Sequence, residues 1–113
     1  MVKSTKYIPE RGDIVWLDFN PQLGHEQRGR RPALVMSYKT YNERIGLAIF
    51  CPITSKEKGY PFEVKIEGIK IKGCALSDQV KSLDWNVRNI EFIEKIKDEL
   101  FEEVLIKFLK LIE

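Results

Sequence analysis

Apolar residues cluster in short runs along the 113-residue chain. Asp13-Ile14-Val15-Trp16-Leu17-Asp18-Phe19 is apolar and aromatic without alternation and is closed by Asn20-Pro21. That pattern predicts a strand buried on both faces. Residues 33–37 and 46–53 repeat the style, and Gly73-Cys74-Ala75-Leu76 adds another short apolar stretch. In Phe62-Glu63-Val64-Lys65-Ile66-Glu67, apolar and charged residues alternate with period two, so one face should meet the core and the other water. Several short strands separated by Gly, Pro and Asn turns predict a mainly β fold, a small barrel or sandwich. The period then changes. Ile96, Leu100, Phe101, Val104, Leu105, Phe108 and Ile112 recur at spacings of three and four, which predicts one long C-terminal helix. Asp98 is the expected N-cap, with Glu99, Glu102 and Glu103 in the opening turns and Lys107 and Lys110 toward the end. With no internal repeat, low-complexity stretch or linker, residues 1–113 read as a single domain.

A composition of 43% hydrophobic and 32% charged residues suits a soluble globular domain. A chain of this size can bury roughly two-thirds of its unfolded surface, enough for a core without a staple. Cys51 and Cys74 each lie in an apolar run, so they read as buried small hydrophobes in a reducing compartment. No secretory h-region or membrane-length apolar run is present, and the expected location is cytoplasmic. One histidine and two cysteines 23 positions apart match no zinc-ligand spacing, and no glycine-rich phosphate loop or GxSxG elbow occurs. The expectation is chemistry without a tightly held metal or nucleotide cofactor. Residues 1–90 carry 15 basic against 10 acidic side chains, a net +5, whereas residues 91–113 carry 4 against 7, a net −3. A mildly positive body is compatible with nucleic-acid binding and equally with a solvated surface, so charge alone does not decide.

Three polar clusters interrupt the apolar runs. Gly24-His25-Glu26-Gln27-Arg28-Gly29-Arg30-Arg31-Pro32 concentrates a carboxylate, an amide and three guanidiniums between two predicted strands. Pro32 disfavours helical backbone at Arg31, so this arginine should enter the next strand in an extended conformation. A guanidinium fork matches phosphate oxygens, making the loop a candidate phosphate clamp; the alternative is a surface ion-pair cluster around Glu26. His25 reads as a solvated loop histidine. The second cluster, Pro52–Phe62, adds Thr54, Ser55, Lys56, Lys58 and Tyr60; its hydroxyls could equally satisfy backbone groups at a strand exit. The third, Ser77-Asp78-Gln79-Val80-Lys81-Ser82, could equally be a polar turn.

These residues, in this order, resemble a known family. Gly12-Asp13-Ile14-Val15-Trp16 with Asp18-Phe19, then Glu26-Gln27, Gly29 and Arg31-Pro32-Ala33, then Pro52 with Thr54-Ser55, Lys58-Gly59-Tyr60-Pro61-Phe62-Glu63-Val64, and Asp78-Gln79-Val80-Lys81-Ser82 look like the MazF/PemK toxins of bacterial toxin–antitoxin pairs. The resemblance spans residues 10–85, and the tail after residue 90 carries little of it. It implies an SH3-like small β-barrel with short helices, a homodimer, and a metal-independent endoribonuclease that cuts single-stranded RNA, including mRNA, at short sequences. It also implies a MazE-like antitoxin as protein partner. Carried over by position, the family's catalytic residues fall on Arg31 and Thr54, and its important loop glutamate on Glu26. RNA contacts fall on Asp18, Phe19, Gln27, Arg30, Ser55, Lys58, Tyr60, Gln79 and Lys81. Arg30 stands where some relatives carry histidine and Lys56-Glu57 lies in a variable stretch, so sequence preference does not carry over.

The implied chemistry suits these side chains. Attack of a ribose 2′-hydroxyl on the adjacent phosphate needs a proton acceptor, donors for the added negative charge and protonation of the leaving 5′-oxygen. Arg31 and Thr54 can supply donors. A free arginine pKa above ~12 favours Glu26 as proton acceptor or orienter. Two competing readings stand beside this one. A CcdB-like gyrase poison shares the fold but acts through a Trp-Gly-Ile terminus, where this chain has Leu109-Lys110-Leu111-Ile112-Glu113. An inactive RNA-binding module is opposed by the joint presence of Glu26, Arg31 and Thr54.

Overall fold

A computed structural model describes residues 6–19 and 29–113. Seven strands run in the order β1 (Asp13–Asp18), β2 (Arg30–Val35), β3 (Leu47–Thr54), β4 (Glu63–Glu67), β5 (Lys72–Leu76), β6 (Lys81–Asp84) and β7 (Glu91–Lys95). Helix α1 (Lys39–Ile45) separates β2 from β3, a 3-10 turn covers Trp85–Val87, and α2 (Asp98–Leu109) follows β7. The sheet order is β4-β5-β3-β2-β1-β7, all pairs antiparallel, with β6 also pairing with β3. β3 is the shared strand: residues 47–50 pair with β6, whereas Ile53 and Thr54 pair with β5. This curved half-barrel with a C-terminal helix matches the mainly β expectation.

The central strands are buried on both faces, as the unalternating apolar runs predict. Ile14, Leu34, Cys51 and Ile53 pack with Val64 and Ile66 of β4, Ala75 of β5, and Phe101 and Val104 of α2. On the opposite face Val15, Leu17, Ala33, Val35, Ala48 and Phe50 pack with Trp85, Leu83 and Phe19. Cys51 and Cys74 are free and buried; burial pushes the Cys51 thiol up to about 12, so it stays a neutral packing group.

Four local features differ from the sequence reading. Helix α1 was not predicted, because its only buried residue is Asn42 and it carries no apolar stripe. The Asn42 side chain instead donates to the Pro9 and Ser37 carbonyls and accepts from the Ser37 hydroxyl. Gly46, at φ 83°, closes the helix by donating to the Asn42 carbonyl. Lys81 and Ser82 lie on strand β6 rather than in a turn, and β7 occupies part of the unassigned acidic stretch. Finally, the N-cap of α2 is Lys97, with Asp98 and Glu99 inside the first turn, where their charges still favour the dipole. The stripe is buried at Phe101 and Val104 but has run out by Ile112, which is exposed beyond the helix.

Glu94 of β7 ties the β4–β5 hairpin to the sheet: its carboxylate accepts from the backbone N–H groups of Ile69 (3.0 Å), Lys70 (3.0 Å) and Ile71 (2.8 Å). Burial pushes its pKa up, but the three amides and the Lys70 charge together outweigh burial and hold it below the ordinary glutamate value. A carboxyl depressed on folding contributes stability that is complete above its unfolded pKa, about 4.3, and is lost as pH falls through the folded value. Glu94→Gln is therefore expected to cost about 1 kcal/mol at pH 7, discounted for the exposed setting, with the gap narrowing below about pH 4. Urea unfolding of both proteins between pH 3 and 7 checks this; an equal gap at both ends would contradict it.

Candidate functional site

Strand pleating sends Arg30 and Arg31 to opposite faces of β2. Arg30 is held internally: its guanidinium donates to Asp18 Oδ1 (3.2 Å), Glu91 Oε1 (3.1 Å) and the Asn89 carbonyl (2.8 Å). Asn89 also donates to Asp18 Oδ2 at 2.8 Å. Arg31 is exposed, pairs in register with Leu17, and carries its guanidinium 6.0 Å from the Phe19 ring centroid, at the limit of a cation–π contact.

Thr54 ends β3, two residues beyond the last pair that β3 makes with β2. Ala33 faces Pro52, Leu34 faces Cys51 and Val35 faces Phe50. The paired register ends at Ala33 and Pro52; by the alternation of each strand Arg31 lies on the face of Ala33 and Val35, and Thr54 on that of Phe50 and Pro52, which is the same face. Lys81 of β6 faces Phe50, so it projects from that face too. The shared face is the one packed around Leu17, Val35 and Phe50. On that face Arg31 precedes the buried residues of β2 and Thr54 follows those of β3, while Lys81 is exposed opposite Phe50.

Thr54 is half-buried, and its Oγ1 accepts from Lys56 N–H at 3.2 Å, the strand-exit role weighed from the sequence. Accepting one bond leaves the hydroxyl proton able to donate elsewhere. The chain after Thr54 is held at two points. The Glu63 carboxylate accepts from Lys58 N–H (2.7 Å) and Gly59 N–H (2.8 Å). Tyr60 donates its phenol to Asp78 at 2.7 Å, and that bond, with lesser contributions from burial and charge, pushes the phenol up to about 12. Tyr60 therefore remains a donor at neutral pH and joins the second polar cluster to the third. Ser55, Lys58 and Gln79 are exposed beside it. Among the sequence-derived residues, strand alternation puts Arg31, Thr54 and Lys81 on one face, Tyr60 meets Asp78 of the third cluster, and Asp18 and Arg30 meet each other. Glu26, Gln27 and His25 lie outside the described residues.

Three contributors carried no motif and were missed. Arg88 donates to the Asp18 and Phe19 carbonyls, Asn89 has a left-handed backbone at φ 52°, and Gly73 lies against Thr54. Their roles depend on contacts between distant residues, and only the close strand approach at Gly73 has any sequence signal, a glycine inside a strand pattern.

A guanidinium and a hydroxyl on one face of a mainly β half-barrel are groups able to donate hydrogen bonds to an anion. Residues 10–112 match the family of PemK-like, MazF-like toxins of type II toxin–antitoxin systems, and the chain belongs to that family. It is 48% identical over 84 residues to the endoribonuclease toxin MazF of Escherichia coli K12, covering 74% of this chain and 76% of that protein. Its fold superposes on the crystal structure of MazF from Deinococcus radiodurans with a TM-score of 0.85 at 46% identity, covering 94% and 97% of the two chains. A MazE–MazF complex from the same organism matches at a TM-score of 0.83 and 40% identity over 94% and 96%.

A Cβ built on Gly73 would lie 2.5 Å from the Thr54 carbonyl oxygen and 3.1 Å from Ile53 Cγ2. Gly73→Ala must therefore push β5 away from Thr54. The expected cost is about 1–3 kcal/mol, with amide chemical-shift changes centred on Thr54. Wild-type thermal stability together with an unmoved Thr54 amide would show that β3 does not need this approach.

Proposed function

We propose that this protein is the toxin of a type II toxin–antitoxin pair: a metal-independent endoribonuclease that cuts single-stranded RNA, mRNA included, at short sequences and so arrests translation and growth. The reading rests on Arg31 and Thr54, which strand alternation puts on one face of neighbouring strands, in a chain of the PemK-like, MazF-like toxin family. The named endoribonuclease activity of the relatives supports it, as does the MazE–MazF complex of the structural neighbour for a MazE-like antitoxin partner. The reading includes a homodimer working in the cytoplasm. Among the described residues no helix is long and apolar enough to cross a membrane.

In this mechanism a ribose 2′-oxygen attacks its own 3′-phosphorus, the P–O5′ bond breaks, and the products are a 2′,3′-cyclic phosphate and a 5′-hydroxyl. Arg31 donates to the equatorial oxygens as charge builds on the phosphorane, and the Thr54 hydroxyl donates from the neighbouring strand. Both donors stand on paired strands, so little reorganisation is needed when charge develops. Glu26 takes the 2′-proton, because a guanidinium stays protonated near neutrality, and a solvent water gives the leaving 5′-oxygen its proton. Lys81 and Lys58 add positive field along the path of the strand, and Phe19, Tyr60 and Gln79 offer stacking and hydrogen bonds to bases. Gln27 and Ser55 complete the proposed contact set, while Asp18 and Arg30 set the geometry of the strand ends beside it.

Arg31→Ala and Thr54→Ala are each expected to slow single-turnover cleavage about 100-fold or more with the fold intact, the usual size of a lost oxyanion donor. Cleavage by both variants within threefold of wild type would remove them from the site. A single 2′-deoxy substitution 5′ of the cut should abolish cleavage, with EDTA without effect, while binding persists. Cutting of an all-DNA strand, or loss in EDTA restored by a divalent ion, would refute the mechanism.

A further inference from the structure

Arg88 belongs to none of the sequence motifs, yet it grips the exit of β1. Its Nη1 donates to the carbonyl oxygens of both Asp18 and Phe19, at 3.0 Å each. The Arg88 carbonyl in turn accepts from Asp18 N–H at 3.0 Å, and Phe19 N–H donates to the Gly29 carbonyl at 2.8 Å. The next residue, Asn89, is the one described non-glycine residue with positive φ, 52°, and it reaches Asp18 with its side chain and Arg30 with its carbonyl. Arg88 therefore fixes the Asp18–Phe19 backbone from 70 and 69 residues away in the sequence, and Phe19 in turn holds Gly29 through its own N–H.

Phe19 is the link to the chemistry. Its ring packs at the edge of the Leu17 and Phe50 cluster and lies 6.0 Å from the Arg31 guanidinium. Two hydrogen bonds on successive carbonyls restrict the backbone torsions on either side of Phe19, and those torsions aim its ring. We infer that Arg88 is a positioning residue: by fixing the Phe19 backbone it sets the ring against which the Arg31 guanidinium is oriented. The catalytic part of this inference rests on Arg31 acting as proposed above; the positioning part does not. The alternative is direct contact of Arg88 with an RNA phosphate, and the two make opposite predictions. A phosphate contact moves KM and the salt dependence, by about 0.7 in log–log slope for a single strand. A positioning residue moves kcat and leaves both alone.

The test compares Arg88→Met, which keeps the aliphatic stem without donors, with Arg88→Lys, which restores a charged donor. In NMR spectra of the free protein, the Arg31 side-chain signals shifted by the Phe19 ring should move in Arg88→Met and return toward wild type in Arg88→Lys. With single-stranded RNA, Arg88→Met should lower kcat at least tenfold with KM within threefold and an unchanged salt slope. In a Phe19→Ala background the same substitution should cost less than threefold, because the link is already cut. Unmoved Arg31 signals, a KM-only effect with a shallower salt slope, or full additivity with Phe19→Ala would each overturn the assignment. Failure of the wild type to cleave RNA would refute the proposed function instead, while the Arg31 signals would still decide whether Arg88 positions it.

Discussion

The antiparallel register of β2 against β3 sets most of what this molecule can do. Ala33, Leu34 and Val35 face Pro52, Cys51 and Phe50, and all six are buried. A slip of one residue would turn every one of these side chains to the other face, exchanging the packing partners of both core clusters at once. Burial on both sides therefore specifies the register strongly. Strand alternation extends the same constraint to two polar side chains, Arg31 and Thr54, which lie on one face just beyond the last of these pairs. The geometry of the site is inherited from the core, and it needs no hydrogen bond between the two residues to maintain it.

The pleat also solves an electrostatic problem. Adjacent arginines on a flexible loop would compete for the same partners and repel each other. On a strand they point apart. Arg30 enters a cluster with Asp18, Glu91 and Asn89, each bond modest on a half-exposed surface but together fixing the strand end. Arg31 is exposed on the opposite face beside an aromatic ring. One guanidinium serves the frame and the next serves the open face, a division that reading Arg30-Arg31 as a single basic patch conceals.

The sequence was most informative where burial dictates pattern. The apolar run holds the strand Asp13–Asp18, buried on both faces, the alternation holds the half-exposed strand Glu63–Glu67, and the stripe through Phe101 and Val104 is the C-terminal helix. Helix α1 was illegible because it is held through one buried amide rather than an apolar face. Strands β6 and β7 are short and mostly exposed, so neither carries a decisive period. Among the proposed site residues, Arg31, Thr54 and Tyr60 stand in the ordered motifs that carry the family resemblance. Arg88 and Gly73 act on backbone carbonyls, and a carbonyl gives no sequence signal about what it receives.

What surrounds the open face suggests why it is built on strands and tied loops. Thr54 sits on the strand shared by the two halves of the sheet, and β5 approaches it so closely that only a glycine fits at residue 73. The segment after Thr54 has its turn at Gly59 pinned by the Glu63 carboxylate and its tyrosine pinned by Asp78. A donor aimed at developing phosphorane charge is useful only if its position is settled before the charge appears, because reorganisation during the reaction would consume the stabilisation it offers. Side chains on exposed loops fail that condition unless their backbones are tied down. Here the ties are carboxylates receiving amide protons and an arginine donating to carbonyls, charge-assisted bonds that hold short segments without enlarging the core. Under the proposed mechanism, a small half-barrel that cannot bury its site deeply gains precision by tying down backbone beside its exposed donors.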